Sequence, residues 1–284
     1  MNQGNEKTGP TKRIHHRMTS VREFLIIYGG YDTKNHTECN ELWRYDTIRG
    51  VWKRYQPPIE IKDRCVFSTI CTLGNLVYIF GGESFNNIHR QTNCLVSFDI
   101  SNAAWKILSP HIDEYDENTP PPMSRNLLCS NKGSLYVLQG YSKYGKLYTL
   151  YKFCLRTLTW SLVEQHGPAP LYIAGIFGTV YKNKSYFLKY RLYCFGGSSV
   201  EIKKFYHIAI FDISTNIWTI TAMVSKNQQY PDQRTFESFA FSGKFGYMSG
   251  GKIFGTETYF YDIWRIDLAA LEWLKLDYVY KFYI

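Results

Sequence analysis

Five times along the chain a short apolar run ends in a glycine pair, and a tryptophan follows at a nearly fixed distance. The runs are LIIYGGY at 25–31, LVYIFGGE at 76–83, LYVLQGY at 135–141, LYCFGGS at 192–198 and FGYMSGGK at 245–252. Only the third lacks a true pair, carrying Gln139-Gly140 instead. Trp52, Trp105, Trp160, Trp218 and Trp273 lie 20 to 23 residues beyond the second position of each pair. Seven residues before each tryptophan is a large apolar residue: Tyr45, Phe98, Phe153, Phe211 and Ile266. Aspartate follows it in four copies, and Cys154 in the third. A spacing kept through five copies means that the chain is built from one repeated unit of about 55 residues.

Each unit predicts one antiparallel sheet of four strands. In the second copy these fall at 66–72, 76–81, 94–100 and 104–108. The glycine pair allows a positive φ and a close approach of the neighbouring sheet. The aromatic and the tryptophan belong on paired strands joined by a turn such as Asp99-Ile100-Ser101-Asn102. Their rings would fill the wedge between adjacent sheets, with each indole N–H seeking a partner. A single sheet cannot cover both its faces, so the copies must pack on one another as in an all-β propeller. The glycines, aromatics and tryptophans are therefore scaffold.

Composition agrees. Tyr 24, Phe 18 and Trp 7 make 17% of the 284 residues, a bias that favours strands. With 45% hydrophobic residues the chain is not wholly disordered, and no apolar run reaches the roughly 18 residues of a membrane span. Residues 1–12 read as a disordered polar tail without a secretory h-region, and 13–276 as the propeller. Blades are expected at about 13–56, 64–108, 125–163, 172–222 and 234–276, with a stub at 277–284. The seven cysteines, with no CxxC pair, are expected to be reduced thiols in a cytoplasmic or nuclear protein. The run SYFLKYR (185–191) reads as an extension within the fourth copy.

A glycine pair followed by an aromatic and a tryptophan at this spacing resembles the kelch repeat, over residues 13–276. The segments ELWRYDTIRGVW, GSLYVLQGYSKYGKLYTLYKF and DIWRIDLAALEWLKL resemble a group within that family. The resemblance implies a six-bladed propeller that serves as substrate receptor of a cullin-2 RING ubiquitin ligase. It also implies that the propeller mouth holds the C-terminal tail of a client, often one ending in glycine. Two departures follow. A sixth blade is not expected from the residues given, and 277–284 read as too few for the helical box that would bind the elongin adaptor. The alternative is a non-ligase kelch scaffold for a phosphatase, kinase or cytoskeletal partner.

Candidate binding residues come from the loops that deliver each inner strand. Arg64, Arg125 and Arg234 recur there, together with Arg13, whereas PLYIAG in the fourth copy has none. A planar guanidinium accepts a carboxylate bidentately, so a ring of them suits a peptide C-terminus. Ser238, Ser198 and Ser199 could add hydroxyls, and Tyr31 and Tyr141, just after their glycine pairs, apolar walls. The competing reading is that these arginines fix loops by bonding carbonyls. The linker at 109–125, with Asp113, Glu114, Asp116 and Glu117, reads as a solvated acidic excursion that could also meet a client. No catalytic motif occurs, and neither cofactor nor metal is expected; the seven histidines are too scattered for a copper oxidase centre. The net charge is +9 (33 − 24), but its basic residues are too dispersed for a dedicated nucleic-acid surface.

Overall fold

The computed structural model describes residues 9–61, 65–85, 90–170, 176–182, 190–196, 204–253 and 255–277. Among these described residues the fold is all-β apart from one 3-10 turn at Ile59–Ile61. The chain divides into two compact units, Met1–Val163 and Glu164–Ile284.

Among the described residues the first unit holds three four-stranded sheets and a short two-stranded one, Tyr31–Asp32 with Thr37–Glu38. One pairs Arg17–Val21, Phe24–Tyr28, Leu42–Asp46 and Val51–Tyr55 in sequence order. The next is built from Thr69–Leu73, Leu76–Phe80, Leu95–Asp99 and Ala104–Ser109. The last takes Ser134–Ser142 and Gly145–Cys154 as a long central hairpin between Leu127–Asn131 and Thr159–Val163. In the second unit Ile176–Lys182, Tyr190–Gly196, His207–Asp212 and Ile217–Ala222 form one sheet. Ser238–Ser242, Phe245–Ser249, Ile263–Asp267 and Glu272–Leu276 form the other. This last sheet departs from the four-strand expectation, because Val224–Ser225 adds a fifth, parallel strand on its outer edge.

The repeat arithmetic becomes register. Tyr45, Phe98, Phe153, Phe211 and Ile266 lie directly across from Trp52, Trp105, Trp160, Trp218 and Trp273. In the four aromatic pairs the rings are 4.8 to 5.0 Å apart. Between sheets of one unit, Trp160 reaches Phe80 (5.4 Å) and donates its indole N–H to Ser109 Oγ (3.0 Å). Trp273 likewise packs edge-on to Phe195 at 6.0 Å. The rings thus fill the wedge between neighbouring sheets, where apolar burial holds the sheets together.

Glycine is required where one sheet's backbone meets the next. A Cβ on Gly29 (φ +68°) would lie 2.1 Å from the Cys65 carbonyl oxygen, and one on Gly81 (φ +66°) 2.5 Å from that of Met123. In the third copy Gln139 keeps the left-handed conformation, with φ 53°.

In the second copy the inner strand starts at Thr69, three residues later than the pattern suggested. The cause is a left-handed residue, Phe67 (φ 54°), which breaks the extended run. Of SYFLKYR, residues 185–189 lie outside the described residues, while Tyr190 and Arg191 start the Tyr190–Gly196 strand. Residues 1–8 and 278–284 also lie outside them; Gly9 sits against the Trp52 indole.

Candidate peptide-binding site

Before each of four inner strands the chain makes the same move. Ile14, Val66, Ser124 and Thr235 form single bridges to Tyr31, Glu83, Tyr141 and Lys252, just beyond the glycine pairs. The next residue is left-handed every time: His15 (φ 59°), Phe67 (54°), Arg125 (57°) and Phe236 (64°). An L-residue enters that region at a cost, so the turn is imposed by its surroundings. In the first unit successive turns are bonded to each other, Phe67 N–H to His15 O (3.3 Å) and Arg125 N–H to Phe67 O (2.9 Å).

Their side chains stack. The His15 and Phe67 rings are 3.9 Å apart, and the Arg125 guanidinium lies 3.9 Å from the Phe67 centroid. Tyr141 extends the row on one side, 5.6 Å from the guanidinium. On the other, Phe85 stands 6.3 Å from His15 and stacks on Tyr31 at 4.1 Å. Phe85 is 40% exposed and the Arg125 side chain 41%, so this row of rings faces solvent.

Beneath the row is a buried acid. Glu83 accepts hydrogen bonds from Ser124 Oγ (2.6 Å) and Gln91 Nε2 (3.2 Å) on one oxygen, and from Arg125 Nη2 (3.3 Å) on the other. Its shortest bond comes from a neutral donor, and that from Arg125 is its longest. Arg125 Nε is buried and has no hydrogen-bond partner. Arg17 adds a second guanidinium, donating Nε–H to Ser68 O (3.0 Å); burial and then the Arg125 charge hold its pKa below the usual arginine range. Burial and the charges of Arg125 and Arg17 lower His15 to about 4, which leaves the ring neutral at pH 7. Among the described residues the cluster sets two cations, Arg17 and Arg125, against one carboxylate. The cluster is a candidate anion site faced with aromatic rings.

The sequence-derived candidates divide. Arg125 and Tyr141 meet directly in this row, and Tyr31, buried, ends it. Arg234 belongs to the second unit and is already engaged. It is 1% exposed, pairs through both Nη atoms with Asp262, bonds Gly250 O and Asp232 O, and lies 3.8 Å from the Phe260 ring. Arg13 makes the same bonds in the first unit, to Glu41 (2.8 Å), Gly29 O and Thr11 O. Trp43 and Trp264 donate to the same two carboxylates. Burial pushes Glu41 and Asp262 up, but these donors hold both below their ordinary range. Arg13 and Arg234 thus pin loops, as the competing reading of the arginines had it. Ser238 is exposed at the head of its strand in the second unit. Arg64, Ser198 and Ser199 lie outside the described residues.

Sequence reasoning missed His15, Arg17, Phe67, Phe85 and Glu83. A signal for the left-handed positions existed: His15, Phe67, Arg125 and Phe236 each lie fourteen residues before the first position of their glycine pair. Arg13 and Arg234 lie sixteen before. The arginines are therefore two classes, separated by two residues of register. In the second copy the sixteenth position is Cys65, and the register places Cys94 where Glu41 and Asp262 stand, with Asn93 just before it. Asn93 bonds the Ile112 and Pro120 carbonyls and the Ile112 N–H, which fixes the acidic 109–125 loop.

Among the described residues there is no group of three or more His, Cys, Asp or Glu placed to hold a metal ion, and no helix long and apolar enough to cross a membrane. Residues 15–190 match the family described as the KLHDC2/KLHL20/DRC7 Kelch-repeats domain. The chain is 23% identical over 279 residues to Kelch domain-containing protein 10 of Rattus norvegicus, covering 94% of this chain and 65% of that protein. The Homo sapiens protein of that name matches at 23%, covering 94% of this chain and 61% of its own length. Host cell factor homolog hcf-1 of Caenorhabditis elegans is 23% identical over 230 residues, covering 75% of this chain and 28% of that protein. The chain thus spans under two thirds of the length of these relatives.

Proposed function

The chain belongs to the KLHDC2/KLHL20/DRC7 kelch-repeats family, and on that premise we propose that it is a non-catalytic protein-binding module whose Arg125 row receives the C-terminal carboxylate of a client peptide. The observation that carries this reading is the unsaturated guanidinium of Arg125: half exposed, laid on Phe67, with Nε unpartnered and one long bond to Glu83. A carboxylate would accept from it and answer the positive charge of Arg17 and Arg125. The Phe67, Tyr141 and Phe85 rings would flank the last residues of the peptide, and a terminal glycine would let its backbone approach them closely.

At the finer level, the chain serves as the substrate receptor of a cullin-2 RING ubiquitin ligase, reading glycine-ended tails in the cytoplasm and nucleus. The similarity to proteins named Kelch domain-containing protein 10 supports this reading. Affinity purification of the chain from cells tests it: recovery of elongin and cullin-2 is expected, and their absence while client proteins are retained would reduce the role to a kelch scaffold. The carboxylate reading has its own test. Peptides ending in glycine are expected to bind the wild type and to lose about tenfold or more with Arg125→Ala; unchanged binding would end it.

A further inference from the structure

A cleft of about 440 Å³ opens between the acidic 109–125 loop and the turn of the long hairpin in the third sheet. Asp113, Glu114 and Tyr115 line it from the loop, Lys143 and Tyr144 from the turn, and Gln91 from the second sheet. Gln91 is 8% exposed. Its Nε2 is held by three acceptors: Glu83 Oε2 (3.2 Å), Ser124 Oγ (3.3 Å) and Tyr141 O (2.9 Å). Three acceptors fix which way the amide faces. Its Oε1 is left buried with no hydrogen-bond partner. A buried amide oxygen without a donor costs free energy that a ligand N–H would recover.

The lining also favours a cation. Two carboxylates stand against one ammonium, on a chain whose overall charge is +9. Asp113 is open to solvent, with His111 Nε2 at 3.3 Å. The Tyr144 ring already accommodates an ammonium, since Lys143 Nζ lies 4.9 Å from its centroid. Among the described lining residues Lys143 is the one positive group, and it would compete with an incoming one.

We propose that this cleft is a subsite for a lysine or arginine side chain of a bound peptide, its cationic N–H groups directed at Asp113, Glu114 and the free oxygen of Gln91. The identity of the ligand as a peptide rests on the function proposed above; the cation preference stands on the cleft. Gln91 and Arg125 both bond Glu83, so the subsite and the carboxylate site share one network.

Amidated pentapeptides Ac-Gly-Gly-X-Gly-Gly-NH2, which carry no carboxylate, separate the two ideas. In calorimetric or NMR titrations, X as lysine should bind about tenfold tighter than norleucine, and arginine tighter than citrulline. The preference should vanish in Asp113→Asn/Glu114→Gln and persist in Asp116→Asn/Glu117→Gln, which alters the same loop outside the cleft. Lys143→Met should tighten lysine binding several-fold, which a merely structural lining residue would not do. Equal binding of lysine and norleucine overturns the proposal, as does a preference that survives the first variant or falls equally in the second. A set of glycine-ended free acids run alongside reports on Arg125 alone, so either reading can fail without the other.

Discussion

Arg13 and Arg234 do one job in two units, and Arg125 does another. Each of the first two is buried, clamps a carboxylate that also serves a tryptophan, and caps the carbonyl of its first glycine. Removing one leaves an unpaired acid in the interior, which costs about 3–5 kcal/mol. Arg234→Ala should therefore lower the melting temperature by about 10 °C, and Arg125→Ala by less, because its side chain is half exposed and Glu83 keeps its bonds from Ser124 and Gln91. A larger loss for Arg125 in a thermal melt would make it a structural residue. The residue types were legible in the sequence because arginine recurs before inner strands. Their division was not, because proximity to a strand says nothing of a two-residue shift in register. Counting back from the glycine pairs would have shown it. Glu83 and Phe85 were hidden for another reason: they follow a glycine pair, in a stretch without strand periodicity.

At the scale of the element, most of the fold was written in the spacing. Aspartate after the aromatic accepts the N–H groups of its own turn: Asp46 from Ile48 and Arg49, Asp99 from Ser101, Asp212 from Ser214, and Asp267 from Ala269 and Ala270. Cys154 fills that place in the third copy. The Thr157 side chain and the Thr157 and Arg156 backbone donate to it and lower its thiol to about 7. Burial does the reverse elsewhere, raising Cys39 and carrying Cys129 to about 12. Iodoacetamide at pH 7.5 should therefore modify Cys154 first, with a rate that rises through pH 7; mass mapping that finds Cys39 or Cys129 labelled as fast would contradict this. The glycines offer a cleaner contrast. Gly29 and Gly74 share a positive φ, but only Gly29 faces a neighbouring backbone, while nothing lies within 4 Å of a Cβ on Gly74. Gly74→Ala should cost about 1 kcal/mol for the conformation, and Gly29→Ala at least twice that; equal costs in denaturant titrations would remove close approach as the reason for the pair. What residue type could not give was the left-handed step before four of the inner strands, since His15, Phe67, Arg125 and Phe236 have no side-chain type in common and are marked only by their distance from the glycine pairs.

For the whole molecule, composition indicated β structure and a basic chain but not where charge matters. One buried acid makes stability pH-dependent. Burial raises Glu237 to about 7, more than the nearby Arg234 lowers it. Its folded pKa is above the unfolded one, so its contribution is full below about 4.5 and is lost as pH rises through 7. Glu237→Gln should therefore stabilise the protein at pH 8, by about 3 kcal/mol at most, and change little at pH 4.5; equal effects at both would show that the carboxyl does not titrate in this range. The central claim is that this kelch-family chain holds a peptide by its C-terminal carboxylate at Arg125. The most direct measurement is a thermodynamic cycle. Calorimetry compares glycine-ended peptides as free acids and as amides, on the wild type and on Arg125→Met. The acid should bind the wild type about tenfold or more tighter than the amide, and the two should bind Arg125→Met alike. Equal binding of acid and amide to the wild type, or a preference for the acid that survives Arg125→Met, would contradict it.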